Sequence, residues 1–258
     1  MSRIEKVFEK GKAFIPFVTA GDPSLKVTEE LIIKMAKAGA DIIEIGIPFS
    51  DPVAEGDVIA QADERALKAG TTTDKIFKMV EGVREKTYVP LAFMTYANPI
   101  YTYGSEKFIK NCFRYGIDAI IVPDLPFEEK DEIKPYCDKY DIDLISLIAP
   151  TSRERIKMIA KEAEGFVYCV SSMGVTGVRK EITTDISEMV KLVKEEKDIP
   201  CAIGFGISTP AQAKEMARYA DGVIVGSAIV RMVGEYGAGC VEPVYEYVKK
   251  MKEAIIYD

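Results

Sequence analysis

The sequence contains no histidine. This removes Ser-His-Asp and Cys-His triads, the His-x-Glu zinc site of deaminases and the His-Glu-x-x-His metalloprotease site. Any general acid or base must be a carboxylate, lysine, tyrosine or cysteine. Cysteine is sparse: five residues at 112, 137, 169, 201 and 240, odd in number and without a Cys-x-x-Cys pair. That pattern argues for reduced thiols in a cytoplasmic protein and against a disulfide frame or a zinc site. No apolar run approaches the roughly 18–20 residues of a membrane span. No block of Lys and Arg stands out, and the net charge is −7, which disfavours a nucleic-acid partner. The opening MSRIEKVFEKGK lacks the apolar core of a signal peptide and reads as a short amphipathic helix. Linkers, low-complexity segments and short repeats are also missing.

What is present is alternation. Short apolar runs occur at 14–20, 40–46, 90–96, 118–124, 143–149, 165–171, 200–206 and 221–227. Between them lie segments with helical spacing. Leu31, Ile32, Met35 and Ala36 share one face, as do Phe108, Ile109, Cys112 and Phe113. Ser105, Ser152 and Thr209 are candidate N-caps, and Gly39, Gly116 and Gly165 stand where helix C-caps precede strands. Pro135 predicts a kink or late start in 128–140. Eight strand–helix units in 258 residues without a break in composition predict an α/β fold, a single (β/α)₈ TIM barrel domain over 1–258. It carries an N-terminal helix and long loops after strand 2 (47–72) and strand 6 (172–183). A doubly wound open sheet is the alternative.

The run Glu44-Ile45-Gly46-Ile47-Pro48-Phe49-Ser50-Asp51-Pro52-Val53-Ala54-Glu55-Gly56 carries the chemistry. Glu44 sits inside a β-branched strand, where a carboxylate costs several kcal/mol unless paired, solvated or neutralised. The loop beyond it, stiffened by Pro48 and Pro52, brings Asp51 and Glu55. Strand-end and loop carboxylates together suit proton transfer. A core Glu bonded to backbone, with loop acids capping a helix, is the plainer alternative. Glycine-bearing turns follow strands 6, 7 and 8, and the latter two suit a phosphate, because backbone N–H groups and a helix N-terminus attract an oxyanion. Ordinary tight turns also use glycine. Asp124 is either an inward acid or a turn residue. Tyr168 points inward if Val167 and Cys169 point outward. The strand runs hold no lysine, which disfavours a Schiff-base aldolase, and a metal-dependent one would want histidine ligands. Cofactor-free chemistry by carboxylates remains.

Seven segments carry a resemblance to a known family: 16–23, 44–52, 94–99 (Met94-Thr95-Tyr96-Ala97-Asn98-Pro99), 122–126, 174–177, 204–208 and 225–230. Over nearly its full length the chain resembles the α subunit of tryptophan synthase. The resemblance implies retro-aldol cleavage of indole-3-glycerol phosphate to indole and glyceraldehyde 3-phosphate, with no cofactor and no metal. It makes Glu44 the main acid–base. The family's second acid is usually Asp in an Ala-Asp-Gly-Pro run; here the run is Ala54-Glu55-Gly56-Asp57, so Glu55 takes the position and Asp57 is expected to face solvent or cap a helix. The resemblance assigns substrate contacts to Phe17, Tyr168, Thr176, Gly177, Phe205, Gly206, Gly226 and Ser227. It implies a pyridoxal-phosphate-dependent β subunit as partner in an α₂β₂ complex, docking at Pro48 and Asp51 and at a turn formed by Asn98 and Pro99. A stand-alone lyase releasing free indole and a catalytically silent paralogue that regulates a β subunit are the alternatives.

Overall fold

A computed structural model describes residues 1–170, 186–204 and 206–256. In chain order the elements are α1 (Glu5–Phe8), β1 (Ala13–Thr19), α2 (Leu25–Lys37), β2 (Ile43–Gly46), α3 (Asp57–Lys68), α4 (Thr73–Arg84) and β3 (Leu91–Met94). There follow α5 (Ala97–Tyr103), α6 (Ser105–Tyr115), β4 (Ala119–Ile121), α7 (Lys134–Lys139), β5 (Asp143–Ile148), α8 (Arg153–Glu162) and β6 (Val167–Val170). The chain ends with α9 (Ile186–Glu196), β7 (Cys201–Gly204), α10 (Pro210–Ala217), β8 (Gly222–Val225), α11 (Ser227–Tyr236) and α12 (Val241–Ile256). The strands pair in parallel, each with the next, and β8 closes on β1. Closure decides for the barrel over the open sheet.

The two-residue period of each strand separates two layers. Phe14, Val18, Ile43, Ile45, Phe93, Ile120, Val167 and Cys169 face outward into the main core beneath the helices. Ile15, Ala92, Ala119, Ile121, Ile145, Tyr168, Ala202 and Ile224 face the barrel interior. Tyr168 thus points inward, with Val167 and Cys169 outward. The short α1 closes the N-terminal end of the barrel: Ile4 is fully buried, and the Phe8 and Phe166 rings lie 5.7 Å apart.

Several local expectations change. Residues 47–72 are not one long loop, because α3 occupies Asp57–Lys68. Ser105 is not an N-cap; the helix begins on it after Gly104, with no side-chain cap. Ser152 does cap α8, and Thr209 forms a capping box with Gln212 on α10. Asn98 and Pro99 belong to the first turn of α5 rather than a turn between elements. Pro135 sits in the first turn of α7, after a 3₁₀ segment at Phe127–Glu132, so the helix starts late. The second long loop, 172–183, lies outside the described residues.

Candidate active site

At the C-terminal end of the strands a cavity is lined by Phe17, Glu44, Glu55, Met94, Tyr168 and Gly226, among others. Register explains who meets there. Phe17 on β1 pairs with Glu44 on β2, which pairs with Ala92 on β3. Gly46 lacks the Cβ that would stand 2.5 Å from the Phe17 ring, so the ring lies across β2. Phe17, Ile59 and Val230 pack together with Met94 as an apolar wall.

Glu44 is 1 % exposed, and neither carboxyl oxygen has a hydrogen-bond partner among the described residues. Burial pushes its pKa up to about 8. A buried acid without a partner protects itself by keeping its proton. The plainer reading, a core Glu bonded to backbone, fails on this observation. Tyr168 is buried near enough to Glu44 that the carboxylate's charge adds to the burial that raises the phenol's pKa.

Glu55, on the 47–56 loop, faces the same cavity. One of its oxygens is buried with no partner among the described residues. Burial raises its pKa, while hydrogen bonds from Asp63 and Tyr96 pull the other way. Asp63 lies on the inner face of α3, 3 % exposed. Burial, the charge of Glu55 and the hydrogen bond to it all hold the Asp63 proton in place. Its Oδ2 accepts from the Phe49 N–H at 3.4 Å, and the Tyr96 hydroxyl accepts from the Ala54 N–H at 3.0 Å. The Phe49 and Tyr96 rings are 5.4 Å apart. Asp57 is exposed at the first position of α3, as expected.

Across the cavity, Gly226 precedes α11 and Ser227 opens it. That helix start and its dipole form an anion-attracting end of the cavity. Gly206 has φ +81°, a conformation that favours glycine, and also lines the cavity. Thr176, Gly177 and Phe205 lie outside the described residues. Asp124 is exposed and accepts from the Ala97 N–H at 2.9 Å, so it caps α5 rather than serving as an inward acid. On the rim, Asp51 and Asn98 are exposed and Pro99 is half-buried, but Pro48 is buried.

Sequence reasoning missed Asp63 and did not count Tyr96 among the site residues. The signal for Asp63 was available. Ile59, Ala62, Asp63 and Ala66 are the buried positions of α3. An acid on an apolar helical stripe asks for a partner as much as one inside a strand does.

A family model described as "Tryptophan synthase alpha chain" matches residues 4–256. The chain is 47 % identical over 255 residues to the tryptophan synthase alpha chain of Lacticaseibacillus casei, covering 99 % of this chain and 96 % of that one. It is likewise 47 % identical over 262 residues to that of Thermoanaerobacter sp. (strain X514), covering 99 % and 100 %. Among solved structures, it superposes on Mycobacterium tuberculosis tryptophan synthase with a TM-score of 0.91 at 32 % identity, covering 100 % of this chain and 99 % of that one. The tryptophan synthase a2b2 complex of the hyperthermophile Pyrococcus furiosus matches with a TM-score of 0.87 at 35 % identity, covering 94 % and 99 %.

Proposed function

Because the chain belongs to the tryptophan synthase alpha chain family, we propose that it cleaves indole-3-glycerol phosphate to indole and glyceraldehyde 3-phosphate, as a single-domain lyase. The observation that carries this reading is Glu44, a fully buried carboxyl with no partner among the described residues, which faces the cavity and keeps its proton to about pH 8. It is a proton donor at neutral pH.

In this mechanism Glu44 gives its proton to indole C3, leaving positive charge on the ring nitrogen. The Glu44 carboxylate then takes the proton of the adjacent glycerol hydroxyl. The C–C bond breaks, its electron pair restores the indole, and the former alcohol carbon becomes the aldehyde. Glu44 ends protonated, as it began. Glu55 meets the developing charge at the indole N–H. Phe17, Met94 and their apolar neighbours flank the ring. Tyr168 contacts the glycerol phosphate. Gly226, Ser227 and Gly206, with Gly177, receive the phosphate end, Thr176 bonds the loop acid Glu55 when the site closes, and Phe205 completes the pocket. The chain supplies every group this chemistry needs, without a cofactor.

A tryptophan synthase β subunit is the proposed partner and the recipient of indole. The exposed Asp51, Val53, Asn98 and Tyr101 lie on elements that hold the site, the 47–56 loop and α5, so docking there would act directly on Glu55. The five buried, unbridged cysteines agree with a cytoplasmic location. Steady-state indole formation, with the chain alone and with a β subunit added, tests this reading. Turnover that rises with β supports it. Failure to form indole in either assay refutes the lyase.

A further inference from the structure

The 47–56 loop is tied to the barrel at both ends by one buried helical acid. Asp63 accepts from the Phe49 N–H at 3.4 Å, where the loop begins, and shares a hydrogen bond with Glu55, where it ends. Two carboxyl groups in contact within a buried space cannot both be ionised without strong repulsion. One proton between them removes the repulsion and makes a charge-assisted hydrogen bond. The Phe49 N–H is a donor to Asp63, so that contact is kept whichever of the two carboxyl groups holds the shared proton.

We propose that Asp63 is a positioning residue that donates a hydrogen bond to Glu55, keeping Glu55 anionic and aimed into the cavity while closing the loop over the site. This deepens the lyase reading and rests on it for the kinetic part of its test. The surrounding groups fit. Tyr96, from the segment after β3, adds a phenol beside Glu55 and also receives the Ala54 N–H. Asp22, the other carboxylate acting on Asp63, is held by Arg65 through two 2.8 Å hydrogen bonds. That pairing screens its charge. Asp124 adds the smallest of the effects on Tyr96, through its charge. Burial resists ionisation of Asp63, and the charge of Glu55 opposes it further.

The structure therefore ties one alkaline ionisation to the loop. When Asp63 loses its proton, Glu55 loses its donor, two negative charges face each other, and the loop releases. Asp63→Asn keeps a neutral donor and an acceptor; Asp63→Ala keeps neither. Indole-3-glycerol phosphate cleavage from about pH 6 to 10 separates them. Asp63→Ala should lose at least about tenfold in kcat with KM changed less than about threefold. Asp63→Asn should recover most of that loss and drop one of the alkaline ionisations of the wild-type profile. Equal damage by both variants, or an Asp63→Asn profile identical to wild type, overturns the proposal. A carboxyl NMR titration of the ¹³C-labelled chain is independent of activity. Asp63 should titrate well above an ordinary aspartate, and Glu55→Gln should bring it down. An ordinary Asp63 titration overturns the pair even if the chain forms indole. An elevated one that falls in Glu55→Gln supports the pair even if the lyase reading fails.

Discussion

A Cβ on Gly204 would stand 2.4 Å from the Tyr168 hydroxyl and 2.6 Å from its ring edge. The missing side chain on β7 is therefore the space in which the β6 tyrosine lies. Both residues are buried, so the ring could yield only toward the cavity that it lines. Gly204→Ala should cost about 1–3 kcal/mol in urea denaturation and raise KM as Tyr168 is pushed into the cavity. A stability change within about 0.5 kcal/mol would show that the ring has room elsewhere.

Gly226 makes a contrasting case. A Cβ there would meet Phe17 at 3.5 Å, an ordinary contact. The fold should tolerate Gly226→Val with modest loss, but its methyl groups would cover the N–H groups that open α11. Under the phosphate assignment, KM should rise at least about tenfold with a smaller change in kcat. An unchanged KM would move the phosphate elsewhere.

The eightfold alternation was legible because each strand reads as an apolar run and each helix as a 3.6-residue stripe. Boundaries were less so. The run 118–124 overshoots β4, since Val122 and Pro123 continue the apolar segment after the strand has ended at Ile121, and Asp124 caps α5. The helix α3 was hidden by its surroundings: Pro48, Pro52 and Gly56 signal loop, and Asp63 interrupts the apolar face. Glu44 was visible because an acid inside a β-branched strand is anomalous at any register. The pairing of Glu55 with Asp63 was not, because it depends on how the loop folds back onto its own helix.

Stability should depend on pH through Glu44. In the fold its proton is held to about pH 8, against a value of 4.5 for an unperturbed glutamate. Between those values the unfolded chain binds fewer protons than the native one, so stability falls as pH rises. The limiting slope is about 1.4 kcal/mol for each pH unit. Glu44→Gln removes this contribution and leaves that of Asp63, which has the same sign. The stability gap between variant and wild type should widen from about pH 5 to about pH 8 and then level off. A gap that stays constant with pH would mean that Glu44 ionises as an ordinary carboxylate.

The central claim is that Glu44 moves the proton in C–C cleavage, and direct assay of indole released from indole-3-glycerol phosphate by Glu44→Gln tests it. The amide keeps the shape of the side chain but can neither give nor take the proton. The account predicts a fall in kcat of at least about 10²-fold, with an unchanged circular dichroism spectrum and stability no lower than wild type at neutral pH. Turnover near the wild-type rate in a folded variant would contradict it.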